Sequence, residues 1–236
     1  MHTHRTQPLA VTLCQAVCVV VVGVVIAALF SSSAIASNIK RSVIAIDRTG
    51  VAAHVPSWST EVAAIARDEA EKAIEGRVDE LTIIAIGANT AESGKVAAVE
   101  LNIECNNPKT CEADKAALAN QIGEVAGQVA NVPTKTPGSD IVASLQTARS
   151  ICGRRRCAIT IISDGVDTRL YSTGTAGDQL ASEVAPILPS LKRTTVHLVG
   201  LGADGTPPDA IERVRTFWQT LLSIKGAKDI QIARSL

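Results

Sequence analysis

Residues 42–50 read Ser-Val-Ile-Ala-Ile-Asp-Arg-Thr-Gly, an unbroken aliphatic run closed by Asp47, Thr49 and Gly50. An aliphatic run without polar alternation suits a strand buried on both faces, as in a parallel sheet covered by helices. Asp47 then falls at the carboxyl end of the strand. Open α/β sheets bind ligands outside those ends, where the strand order reverses. Two later stretches carry the same kind of signal. Pro137-Gly138-Ser139-Asp140 opens a helical pattern, and Thr160-Ile161-Ile162-Ser163-Asp164-Gly165 closes a second aliphatic strand. The three stretches put the oxygens of Asp47, Thr49, Ser139 and Asp164 at strand or helix ends, where they can converge on one hard cation.

Outward from this stretch, Ser42–Asp47, Leu81–Gly87, Val96–Glu104, Ala158–Ser163, Val196–Leu201 and Ile230–Ala233 read as strands. Helical patterns lie between them at Trp58–Ile74, Cys111–Val129, Ser139–Ser150, Asp178–Leu191 and Pro207–Ile224. Such alternation predicts an α/β fold with a sheet covered on both sides. The short connection Ala88–Gly94 makes the second and third strands a hairpin, hence one antiparallel edge strand. Thr206 is placed to cap the last helix, with Pro207 at its first position and Asp209 in its first turn. The Ser/Thr/Gly-rich stretch Thr168–Gly177 reads as the longest irregular segment of the domain.

The chain has 236 residues, 46% of them apolar, enough for one substantial core and an appendage. Residues 1–36 form the appendage and 37–236 the domain. Leu9 to Phe30 is uncharged, apolar on all sides and long enough to cross a hydrocarbon core of roughly 30 Å. It is read as an N-terminal hydrophobic helix that anchors the chain in a membrane. Ala34-Ile35-Ala36 offers the alternative of a cleaved signal peptide, with secretion of a chain that begins at Ser37.

Six cysteines refine the compartment. Cys14 and Cys18 fall in the apolar segment, whereas Cys105 and Cys111 bracket one polar loop and Cys152 and Cys157 another. Close pairs of this kind suit two local disulfides in a domain outside the cytoplasm. A four-thiolate zinc site is the competing account, and its knuckles normally need tighter spacing.

The charges balance at 23 basic and 23 acidic residues, leaving no net field to gather nucleic acid. Aromatic residues make up 2% of the chain, too few for a stacking platform. Arg154, Arg155 and Arg156 sit together between Cys152 and Cys157, as a solvated loop or as a group able to engage anionic lipid or an acidic partner.

In their order and at these positions, the three stretches resemble the metal-ion-dependent adhesion site of von Willebrand factor type A domains, a pattern of Asp-x-Ser-x-Ser, a distant Thr and a second distant Asp. The resemblance spans about Ile39 to the C-terminus. Asp47 stands for the first Asp, Thr49 for the first hydroxyl, Ser139 for the distant Thr and Asp164 for the last Asp. Val51 occupies the position of the second hydroxyl and supplies no oxygen. The resemblance implies a doubly wound, mostly parallel six-stranded sheet. It also implies a protein-binding, adhesion or assembly module rather than an enzyme. Metal ligands would be Asp47, Thr49, Ser139 and Asp164 holding Mg²⁺ with water, and an acidic residue of a protein partner would complete the coordination shell. The alternatives are a metal-independent scaffold using the same face, or a hydrolase or phosphatase built on Asp47 and Asp164.

Other catalytic patterns are weaker. Gly200-Leu-Gly-Ala-Asp-Gly205 matches a dinucleotide fingerprint, but no acidic residue closes the following strand, so a tight strand-to-helix turn is the better reading. No Gly-x-Ser-x-Gly occurs. A phosphoryl-accepting aspartate of the dehalogenase kind would need a second Asp where Thr49 stands. His54, in the turn after Asp47, reads as an exposed loop residue.

Overall fold

The computed structural model describes residues 40–49, 55–88, 94–101, 103, 108–134, 136, 138–167, 176–202 and 207–234. Among them, six strands form one sheet: β1 (Arg41–Asp47), β2 (Glu80–Ile86), β3 (Gly94–Glu100), β4 (Cys157–Ile162), β5 (Thr194–Leu201) and β6 (Asp229–Arg234). The helices are α1 (Trp58–Glu75), α2 (Pro108–Ala130), α3 (Ile141–Cys152), α4 (Gly177–Val184) and α5 (Pro208–Ile224), with a 3₁₀ turn at Ala185–Ile187.

The sheet order is β3-β2-β1-β4-β5-β6. All neighbours are parallel except β2 and β3, which pair antiparallel at one edge. This order reverses direction between β1 and β4, so the carboxyl ends of those two strands flank the topological switch point. The predicted mixed α/β sheet with one antiparallel edge is therefore present.

The aliphatic run of β1 explains the layering. Val43 and Ala45 face one side, in a core with Leu145 of α3, Leu180 of α4 and Phe217, Trp218 and Leu221 of α5. Ile44 and Ile46 face the other, with Trp58, Val62 and Ile65 of α1 and Ile122 and Ala126 of α2. Both faces of the central strand are dry, which is why its sequence does not alternate. Helices α1 and α2 approach closely because Gly123 and Gly127 leave room for the α1 backbone: a Cβ on Gly123 would lie 2.7 Å from the Ala63 carbonyl.

Several elements differ from expectation at their ends. The fourth helix stops at Val184 and gives way to the 3₁₀ turn instead of continuing to Leu191, because Pro186 cannot donate to a helical ladder. Strand β3 ends at Glu100, short of the expected Glu104. Pro207 is the N-cap of α5 and Pro208 is its first residue, one position later than expected, with no side-chain cap bond. Thr206, His54, Val51 and the stretch 168–175 lie outside the described residues.

Cys152 ends α3 and Cys157 opens β4, and the two form a disulfide with their Cα atoms 5.7 Å apart. Cys111 is also disulfide-bonded; Cys105, its expected partner, lies outside the described residues. Sulfurs committed in this way are not zinc thiolates. The Cys152–Cys157 bond closes a very short loop, so on the chain-entropy account its loss costs about 2 kcal/mol. Denaturant unfolding of the Cys152→Ala/Cys157→Ala variant against the parent checks this; an unchanged midpoint would show the bond to be energetically idle.

The apolar segment Leu9 to Phe30 lies outside the described residues. Among the described residues, no helix is long and apolar enough to cross a membrane.

Candidate functional site

Asp47 ends β1 with its side chain buried at 2% exposure. Register places it there: Ile46 pairs with Ile162 of β4, so Asp47 emerges beside Ser163 at the switch point. Its Oδ1 accepts the Thr49 backbone N–H at 2.9 Å and the Thr49 hydroxyl at 2.8 Å, a local turn that folds the chain back over the strand end. The Ser139 hydroxyl lies 3.1 Å from Oδ1 and 2.9 Å from Oδ2. The Ser163 hydroxyl donates to Oδ2 at 2.6 Å. The Thr49 and Ser139 hydroxyls also touch each other.

Asp164 adjoins this cluster through Ser163, whose hydroxyl lies 3.4 Å from Asp164 Oδ1. That same oxygen accepts the Val166 N–H at 2.8 Å, and the Ser163 oxygen accepts the Gly165 N–H at 3.0 Å. Gly165 has φ +80°, and a Cβ there would lie 2.6 Å from Leu201 and 2.9 Å from Val214, so the turn requires glycine.

The start of α3 completes the face. Asp140, not Ser139, is the N-cap: its carboxylate accepts the Ala143 N–H at 3.0 Å, which leaves the Ser139 hydroxyl turned to Asp47. The Asp140 N–H donates to the Gly87 carbonyl at the end of β2, and Asp167 accepts the Val142 N–H at 3.1 Å. Two buried carboxylates thus satisfy the helix's amides and its positive end.

The four expected site residues therefore lie in one cluster, with Thr49, Ser139 and Ser163 bonded directly to Asp47 and Asp164 beside Ser163. Sequence reasoning gave Ser163 no role beyond a turn, and it missed Asp140 and Asp167 as the helix's partners. Equal strand lengths from paired starts would have identified Ser163, since it falls level with Asp47.

Burial pushes the Asp47 carboxyl above the usual aspartate range, against the opposing pull of hydrogen bonds from Ser163, Thr49 and Ser139. All of these partners are neutral, so among the described residues no side-chain cation neutralises the charge. Each hydroxyl has one proton and two lone pairs. Thr49 and Ser139 have too few protons to donate to Asp47 and to each other at once, so some of these contacts are made through lone pairs. An all-oxygen, net-anionic set of this kind suits a hard divalent ion, with the hydroxyls as neutral ligands. Among the described residues, no group of three or more His, Cys, Asp or Glu side chains forms a metal cage by itself, so any such ion would depend on these hydroxyls.

No protein-family model matches the chain, and no curated protein matches it. Among solved structures, the pilus adhesin SpaC of Lactobacillus rhamnosus GG overlaps 85% of this chain and 28% of its own, at 12% identity and a TM-score of 0.47. Proximal thread matrix protein 1 from the mussel byssus overlaps 84% and 44%, at 13% identity and 0.41. The manganese-loaded Plasmodium vivax TRAP protein overlaps 84% and 68%, at 11% identity and 0.39. The chain spans less than half the length of the first two.

Proposed function

We propose that this protein is a binding module of the von Willebrand factor A type, held outside the cytoplasm, that engages a protein partner through the carboxyl end of its sheet. The observation that carries the reading is the convergence of Thr49, Ser139 and Ser163 on buried, uncompensated Asp47 at the switch point, with Asp164 alongside. The module binds and does not turn over substrate. Mg²⁺ held by Asp47, Thr49, Ser139 and Asp164 would offset the buried charge and present a free coordination position to an acidic side chain of the partner. Leu9 to Phe30 retains the chain at the membrane, and the Cys152–Cys157 disulfide supports the extracytoplasmic side; secretion after cleavage behind Ala36 is the alternative. A metal-independent use of the same face is the second reading, favoured by the fact that both Asp47 oxygens already accept hydrogen bonds.

Calorimetric titration of the full chain with Mg²⁺ or Mn²⁺ separates the two readings. Val51 withholds one oxygen, so binding is expected to be weak, with a Kd of about 1 mM, or about 4 kcal/mol. Val51→Ser should tighten it, and Asp47→Asn should abolish it with circular dichroism unchanged. Protons compete with the ion for the Asp47 carboxylate, whose pKa is raised by burial, so affinity should fall as the pH is lowered. No heat from the parent and none from Val51→Ser would leave the hydrogen-bonded, metal-free module.

A further inference from the structure

The opposite end of the sheet carries a pattern of its own. The residue immediately before each of four adjacent parallel strands is basic: Lys40 before β1, Arg156 before β4, Arg193 before β5 and Lys228 before β6. Strand pairing sets these positions side by side. Arg41 is level with Cys157, Cys157 with Thr194 and Thr195 with Asp229, and the rungs are closed by N–H donation from Arg41 to the Arg156 carbonyl and from Cys157 to the Arg193 carbonyl. At the usual interstrand spacing the row is about 14 Å long. With Arg41 and Lys192 it lines a shallow hollow of about 720 Å³ that has no acidic residue among its described lining.

The row is solvent-facing and largely uncompensated. Lys40, Arg156, Lys192, Arg193 and Lys228 are all exposed. The side chains of Arg156, Lys192, Arg193 and Lys228 form no ion pair or hydrogen bond with other described residues. Nearby carboxylates are otherwise engaged: Glu80 pairs with Arg41 at 3.5 Å, Asp79 accepts the Lys40 backbone N–H at 2.6 Å, and Asp229 accepts from Gln231. Exposed Arg154 extends the charge on a turn fastened at both ends by the Cys152–Cys157 disulfide. In a chain of zero formal net charge, a row of like charges is a local concentration that repels itself unless an anion lies against it.

The geometry points to this face as a docking surface for the anionic headgroups of a phospholipid bilayer. A single small anion spans two members of the row, whereas a headgroup array meets all of them together. The described chain begins at Lys40, itself a member of the row, and only the nine residues 31–39 separate it from Phe30. Fully extended, they reach roughly 30 Å. If Leu9 to Phe30 tethers the chain as proposed above, this row includes the part of the domain nearest the attachment point along the sequence. The tether adds proximity; the row itself supplies the recognition.

Amine-reactive footprinting of the full chain tests this. The chain is mixed with phosphatidylcholine vesicles, with or without about one-third phosphatidylglycerol, and labelling of Lys192 and Lys228 is read by mass spectrometry. Lys115 on α2, paired with Glu112, is the internal control. Anionic vesicles should lower labelling of Lys192 and Lys228 about threefold or more, high salt should restore it, and Arg156→Glu/Arg193→Glu should remove the protection. Equal labelling in both lipids overturns the proposal. So does equal protection by inorganic phosphate with neutral vesicles, which marks a small-anion site, and so does stronger protection by duplex DNA. The footprint reads the row whether or not the apolar segment inserts, and Asp47→Asn leaves it unchanged, so its failure is distinct from failure of the metal-dependent module.

Discussion

Trp218→Ala is expected to lower the stability of the domain by about 3–5 kcal/mol, the range for truncating a fully buried large aromatic. Trp218 has no exposed surface and packs edge-on against Phe217, with ring centroids 4.9 Å apart. Its indole N–H donates to the Gly165 carbonyl at 2.8 Å, one residue beyond Asp164. The substitution thus removes a large part of the core between α5 and the sheet, and also the peg that fixes the turn after β4. Trp218→Phe separates these contributions. It keeps most of the apolar surface but strands a buried carbonyl, at a cost of about 1–3 kcal/mol. Urea unfolding of both variants gives the two numbers. A loss below about 1 kcal/mol for Trp218→Ala would mean that the α5 core collapses to fill the space.

Trp58 plays the matching part on the other strand, donating its indole N–H to the Asp47 carbonyl at 3.1 Å. Both tryptophans of the chain therefore pin a main-chain carbonyl of the site. The sequence shows only that they are too scattered to form a stacking platform. Their true partners are backbone atoms 11 and 53 residues away, and no pattern of residue types encodes such a contact.

What was legible follows the same division. The buried strands could be read because a strand covered on both faces has to be apolar throughout, and 42–47 and 158–162 are nearly so. The antiparallel edge could be read because seven residues between two strands cannot make a parallel crossover. Ser139 and Asp164 could be placed because each adjoins a strong element boundary. Which hydroxyl bonds and which carboxylate caps could not be decided: Ser139 and Asp140 are both good caps, and the choice turns on Asp47, distant in sequence, capturing the serine. The basic row was hidden for a related reason. Its members lie far apart along the chain and are brought together only by strand order.

Lowering the pH from about 4.5 to about 2 is expected to destabilise the domain through Glu69, a carboxylate on α1 that meets the sheet from within the core. Thr160 of β4 donates to its Oε2 at 2.8 Å, and His197 of β5, level with Thr160, has Nδ1 3.6 Å from the same oxygen. Lys72 reaches Oε1 at 2.7 Å. Burial alone would push the Glu69 carboxyl up, but the nearby His197 imidazole and hydrogen bonds from Lys72 and Thr160 outweigh it and bring the pKa from 4.5 to about 2. Between those values the unfolded chain binds more protons than the folded one, so stability rises with pH. The contribution is complete above about 4.5 and is lost as the pH falls through about 2. Its size is about 2–3 kcal/mol, after allowing for the water-screened share of Lys72, whose side chain is 67% exposed. Other carboxylates titrate in the same range, so the contribution of Glu69 is isolated by difference. Glu69→Gln should be less stable than the parent by that amount at pH 6, and the gap should close towards pH 2. Urea midpoints of the two proteins across this range provide the measurement; parallel curves would mean that the Glu69, Thr160 and His197 contact is held by packing and not by charge.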